Sequence, residues 1–151
     1  MPVGLAANGE RNYVFRPDSS PEHQGRLMES LAEVRALGST SLERFLYDLR
    51  AQLSRFNTLT IITPSIRSEW IPALSSMRRL GVSVGVVLID AKDFSGATNV
   101  HFPVELLFAN EIPTFMVRKG QALNEALSHT LDRADYLAAV DRQAAAREAV
   151  R

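Results

Sequence analysis

Thr58-Leu59-Thr60-Ile61-Ile62-Thr63-Pro64-Ser65 is the stretch on which the fold turns. From Leu59 to Thr63 it is a continuous β-prone run, the pattern of a strand covered on both faces, and Pro64 ends it by removing a backbone donor. A helical pattern starts near Ser68, with Trp70, Leu74 and Met77 on one face, Pro72 in its first turn and Gly81 as its stop. Val82 to Ile89 is then a second strand. After a loop from Ala91 to His101, Pro103 can start a short helix with Leu106 and Leu107 inward, and Ile112 to Val117 is the last strand. Strands and helices that alternate with short links predict a mostly parallel sheet.

On the amino-terminal side, Val3 to Ala7 ends at the turn signal Asn8-Gly9, and Tyr13-Val14-Phe15 follows, so the two predict a hairpin with an antiparallel edge strand. Gln24 to Leu37 places Leu27, Met28, Leu31 and Val34 on one helical face, closed by Gly38. The next helix carries Leu42, Phe45, Leu46, Leu49, Leu53 and Phe56 at the 3.6-residue period, a face that must be buried. Thr40 with Glu43 three residues later predicts a capping box at its start. Gln121 onward reads as helix again, with Leu123, Leu127, Leu131 and Ala134 in period, and beyond Leu137 the stripe thins to alanine.

The expected architecture is α/β: a mostly parallel Rossmann-like sheet with helices on both faces and one antiparallel edge hairpin. A single domain is expected over 1–137, followed by an Ala/Arg-rich tail over 138–151 that is helical or frayed. The 151 residues balance 17 Lys plus Arg against 17 Asp plus Glu, so no net field collects nucleic acid or anionic lipid. Cysteine is absent, which excludes disulfides, thiolate metal sites and cysteine nucleophiles. No apolar run approaches the roughly 20 residues that span a bilayer, and the amino terminus lacks the basic and apolar regions of a secretory signal. A cytoplasmic location without membrane insertion is expected.

Ligands of open α/β sheets bind where strands end. Here one such end carries a carboxylate, Asp90, and Asp93 lies three residues on, so the two could converge on a divalent ion or act as an acid and base pair. Thr63 and Ser65 stand at the neighbouring strand end, where they read most simply as a turn and helix entry. His23, His101 and His129 are scattered, and no phosphate loop, dinucleotide fingerprint or nucleophile elbow occurs. No catalytic residue or cofactor is assigned on this pattern, and Thr40, Asp90 and Asp93 are the residues that could serve a metal.

Four segments, Val3 to Gly9, Thr58 to Ser65 with Glu69-Trp70, Arg79-Leu80-Gly81-Val82, and Ile112-Pro113-Thr114 leading to Val117-Arg118-Lys119-Gly120, recur in an order that resembles the carboxyl-terminal part of the bacterial domain of unknown function 58 family. The resemblance spans roughly residues 3 to 128. It implies a von Willebrand factor A-like sheet, a non-enzymatic role in protein assembly and association with MoxR-type AAA+ ATPases. It also implies that a membrane-anchored region and the first central strand would precede residue 1, making this a partial module. The resulting gap, between Val3–Ala7 and Leu59–Thr63, would be closed by direct pairing of these strands or by another chain, either a second copy or the missing amino-terminal half. In the family's metal-ion-dependent adhesion site, Thr40 matches the threonine, Pro64 stands where a later Asp belongs, and Asp18-Ser19-Ser20-Pro21-Glu22 lacks the final Ser of the first loop. A competent adhesion-site metal is therefore not expected. The leading expectation is a non-catalytic protein-interaction domain; the alternative is a small divalent-metal-dependent hydrolase or phosphotransfer domain using Asp90 and Asp93.

Overall fold

The computed structural model describes residues 1–90 and 101–148. It is an α/β protein with a three-stranded parallel sheet and a separate antiparallel hairpin. Its chain divides into two compact units, Met1–Leu53 and Ser54–Arg151.

In the first unit, β1 (Val3–Asn8) pairs antiparallel with β2 (Asn12–Asp18), with a register shift between Val3 and Leu5. The hairpin turn is tied down: the Glu10 N–H donates to the Arg35 carbonyl at 3.1 Å. Helix α1 (Pro21–Glu33) begins three residues earlier than the apolar periodicity suggested, because the Ser20 hydroxyl caps the His23 N–H at 3.3 Å and Pro21 loses nothing in the first turn. Its buried face is His23, Leu27 and Ser30 rather than the expected Met28, Leu31 and Val34; Met28 is 67% exposed. Two polar residues hold that face inward, His23 Nε2 lying 2.9 Å from the Val3 carbonyl and Ser30 Oγ donating to the Arg26 carbonyl at 2.9 Å.

Helix α2 (Leu42–Leu49) is shorter than the four-turn stripe predicts, and a 3₁₀ turn, Arg50–Gln52, closes it. Phe45, Leu46 and Leu49 are buried as expected, but Phe56 is 81% exposed. Beyond Leu53, Asn57 Oδ1 accepts from both the N–H and the hydroxyl of Ser54, and this local turn outcompetes continuation of the helix. The predicted capping box is displaced by one residue. Ser41, extended at φ −65° and ψ 151°, caps the Arg44 N–H at 3.2 Å, while the Thr40 carbonyl accepts from Asn8 Nδ2 at 2.9 Å.

In the second unit, β3 (Thr58–Thr63), β4 (Ser83–Ile89) and β5 (Thr114–Val117) form a parallel sheet in that order. The hairpin forms a two-stranded sheet of its own. Helix α3 (Ile71–Arg79) links β3 to β4, and α4 (His101–Ala109) precedes β5. Strand order advances one way, so right-handed crossovers carry both helices to the same face. Ser75 Oγ on α3 accordingly bonds Asn110 Oδ1 at the end of α4, at 2.9 Å. The core lies there: Ile61, Val84, Val86, Leu88 and Met116 from the sheet meet Trp70, Ile71, Leu74, Met77, Val104 and Leu107, all buried. Gly81, at φ 85°, closes α3 in the left-handed region that a β-carbon disfavours.

The helix expected from Gln121 is two pieces, the single turn α5 (Leu123–Ala126) and α6 (Arg133–Glu148). The break is specified locally. The Leu131 N–H donates to the Thr114 carbonyl at 2.6 Å, extending the ladder of β5, and Asp132 Oδ1 caps the N–H groups of Ala134 and Asp135 at 2.8 and 3.2 Å. The buried positions are consequently Ala126 and Tyr136, while Leu123 and Leu127 are 62% and 44% exposed. Helix α6 continues to Glu148.

Candidate functional site

Two places in the second unit bear on function: the carboxyl ends of the parallel strands and the outer edge of β3. At the first, β3 leaves through Thr63-Pro64-Ser65. Thr63 is buried and its Oγ1 accepts from the Ser65 N–H at 3.1 Å; Ser65 Oγ accepts in turn from the Arg67 N–H at 3.3 Å. Both hydroxyl oxygens thus serve the turn. Arg67 pairs with Glu69 at 2.9 Å, and with the Ser68 N–H this holds the Glu69 carboxyl below the usual carboxylate range.

At the neighbouring strand end, Asp90 is half-buried and its N–H donates to the Val117 carbonyl at 2.9 Å. Tyr136, on α6, is the buried group here, with its ring edge-on to Phe108 of α4 at 5.9 Å between centroids. Burial pushes its phenol up to about 12 from 10.0, the carboxylates of Glu105 and Asp90 push it the same way, and the Arg118 guanidinium opposes them. The ends of β4 and β5 therefore gather two carboxylates, one guanidinium and a phenol that keeps its proton. Periodicity missed Tyr136 because α6 was read in a register set by leucines.

A ligand crevice in an open α/β sheet lies where strand order reverses. The order β3-β4-β5 contains no reversal. Among the described residues, no three His, Asp or Glu side chains converge to hold a metal ion. Of the residues the sequence singled out, Asp90 stands at the end of β4, Thr40 belongs to the first unit, engaged through its carbonyl, and Asp93 lies outside the described residues. Asp18, the first acid of the loop compared with the adhesion site, accepts from the N–H groups of Ser19 and Ser20 at 2.6 and 3.0 Å, which lowers its carboxyl and shapes the start of α1.

The second place is β3 itself. Its sequence suggests a strand covered on both faces, but Thr58, Thr60 and Ile62 are exposed, Ile62 by 68%. The reason is its position: β3 is an edge, and the helices that follow it cover the opposite face. Its hydrogen-bonding direction follows from one contact. The Ser83 N–H donates to the Asn57 carbonyl at 3.1 Å, and since main-chain groups alternate in direction along a strand, Leu59, Ile61 and Thr63 bond toward β4. The N–H and C=O groups of Thr58, Thr60 and Ile62 point outward. No charged residue and no Pro interrupts this edge, although such residues are the usual protection against pairing.

A third feature, in the first unit, is a cleft of about 690 Å³ lined by Glu10, Arg11, Tyr13, Glu33 and Arg35. Its two acids offset its two guanidinium groups. Arg11 is moreover engaged by the Tyr13 hydroxyl at 2.7 Å and by Glu33 at 3.5 Å.

Compared with protein-family models, with curated proteins and with solved structures, the chain finds no match in any of the three. Among the described residues, no helix is long and apolar enough to cross a membrane.

Proposed function

We propose that this chain is a non-catalytic protein-interaction module whose binding element is the outer edge of β3. The observation that carries this reading is Ile62, 68% exposed on an uncharged edge strand. Open strand edges with unpaired N–H and C=O groups are templates for another chain, and apolar side chains beside them favour that pairing. The resemblance to the domain of unknown function 58 family supports the same role, as a von Willebrand factor A-like module, and makes a MoxR-type AAA+ ATPase one partner to assay.

The test has two parts. Calorimetric titration with Mg²⁺ or Mn²⁺ is expected to give no binding heat, and Ile62→Lys, folded by circular dichroism, is expected to lose association with a purified MoxR-type ATPase or with the chain itself. Micromolar metal binding abolished by Asp90→Ala would replace this reading with the metal-dependent hydrolase or phosphotransfer one. Association unaffected by Ile62→Lys would remove β3 from the binding surface.

A further inference from the structure

We propose that the partner of this edge is a second copy of the chain, joined by antiparallel β3–β3 pairing centred on Thr60. The inference rests on the interaction reading above and adds its partner, its symmetry and its register.

The geometry selects the register. Outward-facing N–H and C=O groups belong to Thr58, Thr60 and Ile62, the even-numbered positions of β3. Across a two-fold axis through Thr60, Thr60 meets Thr60 of the second copy, and Thr58 meets Ile62 of the second copy at both ends. Each of these opposed pairs exchanges two hydrogen bonds, so all the outward groups are satisfied. Shifting the axis to Ile61 pairs Thr60 with Ile62 but sets Thr58 against Pro64, which has no N–H to give. Proline at the end of the strand thus disfavours that neighbouring register.

The side chains agree with the same axis. Residues directly opposed in an antiparallel pair share a face, so each exposed Ile62 packs beside Thr58 of the second copy, and Leu59 faces Ile61 of the second copy on the side that carries the core. Thr58 to Thr63 contains no charge, so two identical edges meet without like-charge opposition. The product is a continuous six-stranded sheet, three strands from each copy. Pairing confined to one edge is a small interface, and a dissociation constant on the order of micromolar is expected.

The chain's lack of cysteine makes the register measurable, because an introduced thiol is then the sole thiol in each copy. Hydrogen-bonded antiparallel partners lie about 5.5 Å apart at Cα, within disulfide reach. Under mild oxidation of the full chain, Thr60→Cys is expected to form a covalent dimer and Thr58→Cys alone to form none, while Thr58→Cys mixed with Ile62→Cys links the two variants. Sedimentation should show twice the monomer mass of 16.7 kDa at high concentration. Thr60→Lys, which opposes two ammonium groups at the axis, should weaken the dimer by roughly tenfold or more, and mixing it with Thr60→Glu should restore it.

A monomer at every concentration with no Thr60→Cys cross-link overturns the inference, as does a dimer indifferent to Thr60→Lys. Amide hydrogen exchange in such a monomer then separates the two claims. Fast exchange at Thr60 and Ile62 leaves the edge open to a different partner, so the interaction reading survives; protection there removes both.

Discussion

Tyr136 shows how a single side chain records its surroundings. Its phenol is raised to about 12 by burial and by the Glu105 and Asp90 carboxylates, whereas in the unfolded chain it titrates near 10.0. The stabilisation is complete below pH 10 and is lost as pH rises toward 12, because the unfolded chain releases the proton first. Absorbance titration near 295 nm should therefore show one of the three tyrosines ionising about two units late, and Tyr136→Phe should remove that late step. Glu111 carries a different signature, a left-handed φ of 52° in a residue with a β-carbon, where α4 turns into β5. Glu111→Gly is expected to stabilise the fold by about 0.5–1 kcal/mol in urea denaturation. At Gly38 the sign reverses: a β-carbon there would overlap the Gly9 carbonyl oxygen, so Gly38→Ala should cost about 2 kcal/mol.

At the scale of elements, the competition between neighbouring caps is decided by backbone geometry that periodicity does not contain. Ser41→Ala should destabilise by about 1 kcal/mol, and Thr40→Ala by much less, because only the Ser41 hydroxyl caps α2. Parallel strands β3, β4 and β5 were legible because aliphatic runs bounded by Pro, Gly and polar turns admit few other structures. Helix ends and faces were less so. The face of α1 is set by His23 and Ser30, polar residues that an apolar pattern counts as outward, and the stripe of α2 outran its helix because the Ser54–Asn57 turn intervened. For β3, an unbroken apolar run could not reveal which neighbour was missing. Covered and edge strands share that composition, and only the strand order distinguishes them.

For the molecule as a whole, association and stability are linked, since anything that binds the folded state alone raises its melting temperature. The wild-type chain should melt at a temperature that rises with protein concentration, and Thr60→Lys should shift that rise to concentrations about tenfold higher or more; scanning calorimetry over a hundredfold concentration range checks both. The α/β class was legible in the sequence, and so was the carboxylate that follows β4, Asp90. The two compact units depend on which segments touch, and local patterns do not contain that. Tyr136 escaped for a related reason, its importance arising from the elements packed around it. The alternation along β3 has a last consequence, for inheritance. Leu59, Ile61 and Thr63 answer to the core, whereas Thr58, Thr60 and Ile62 answer to whatever lies outside, so mutation can redraw the choice of companion at the even positions while selection for folding acts on the odd ones.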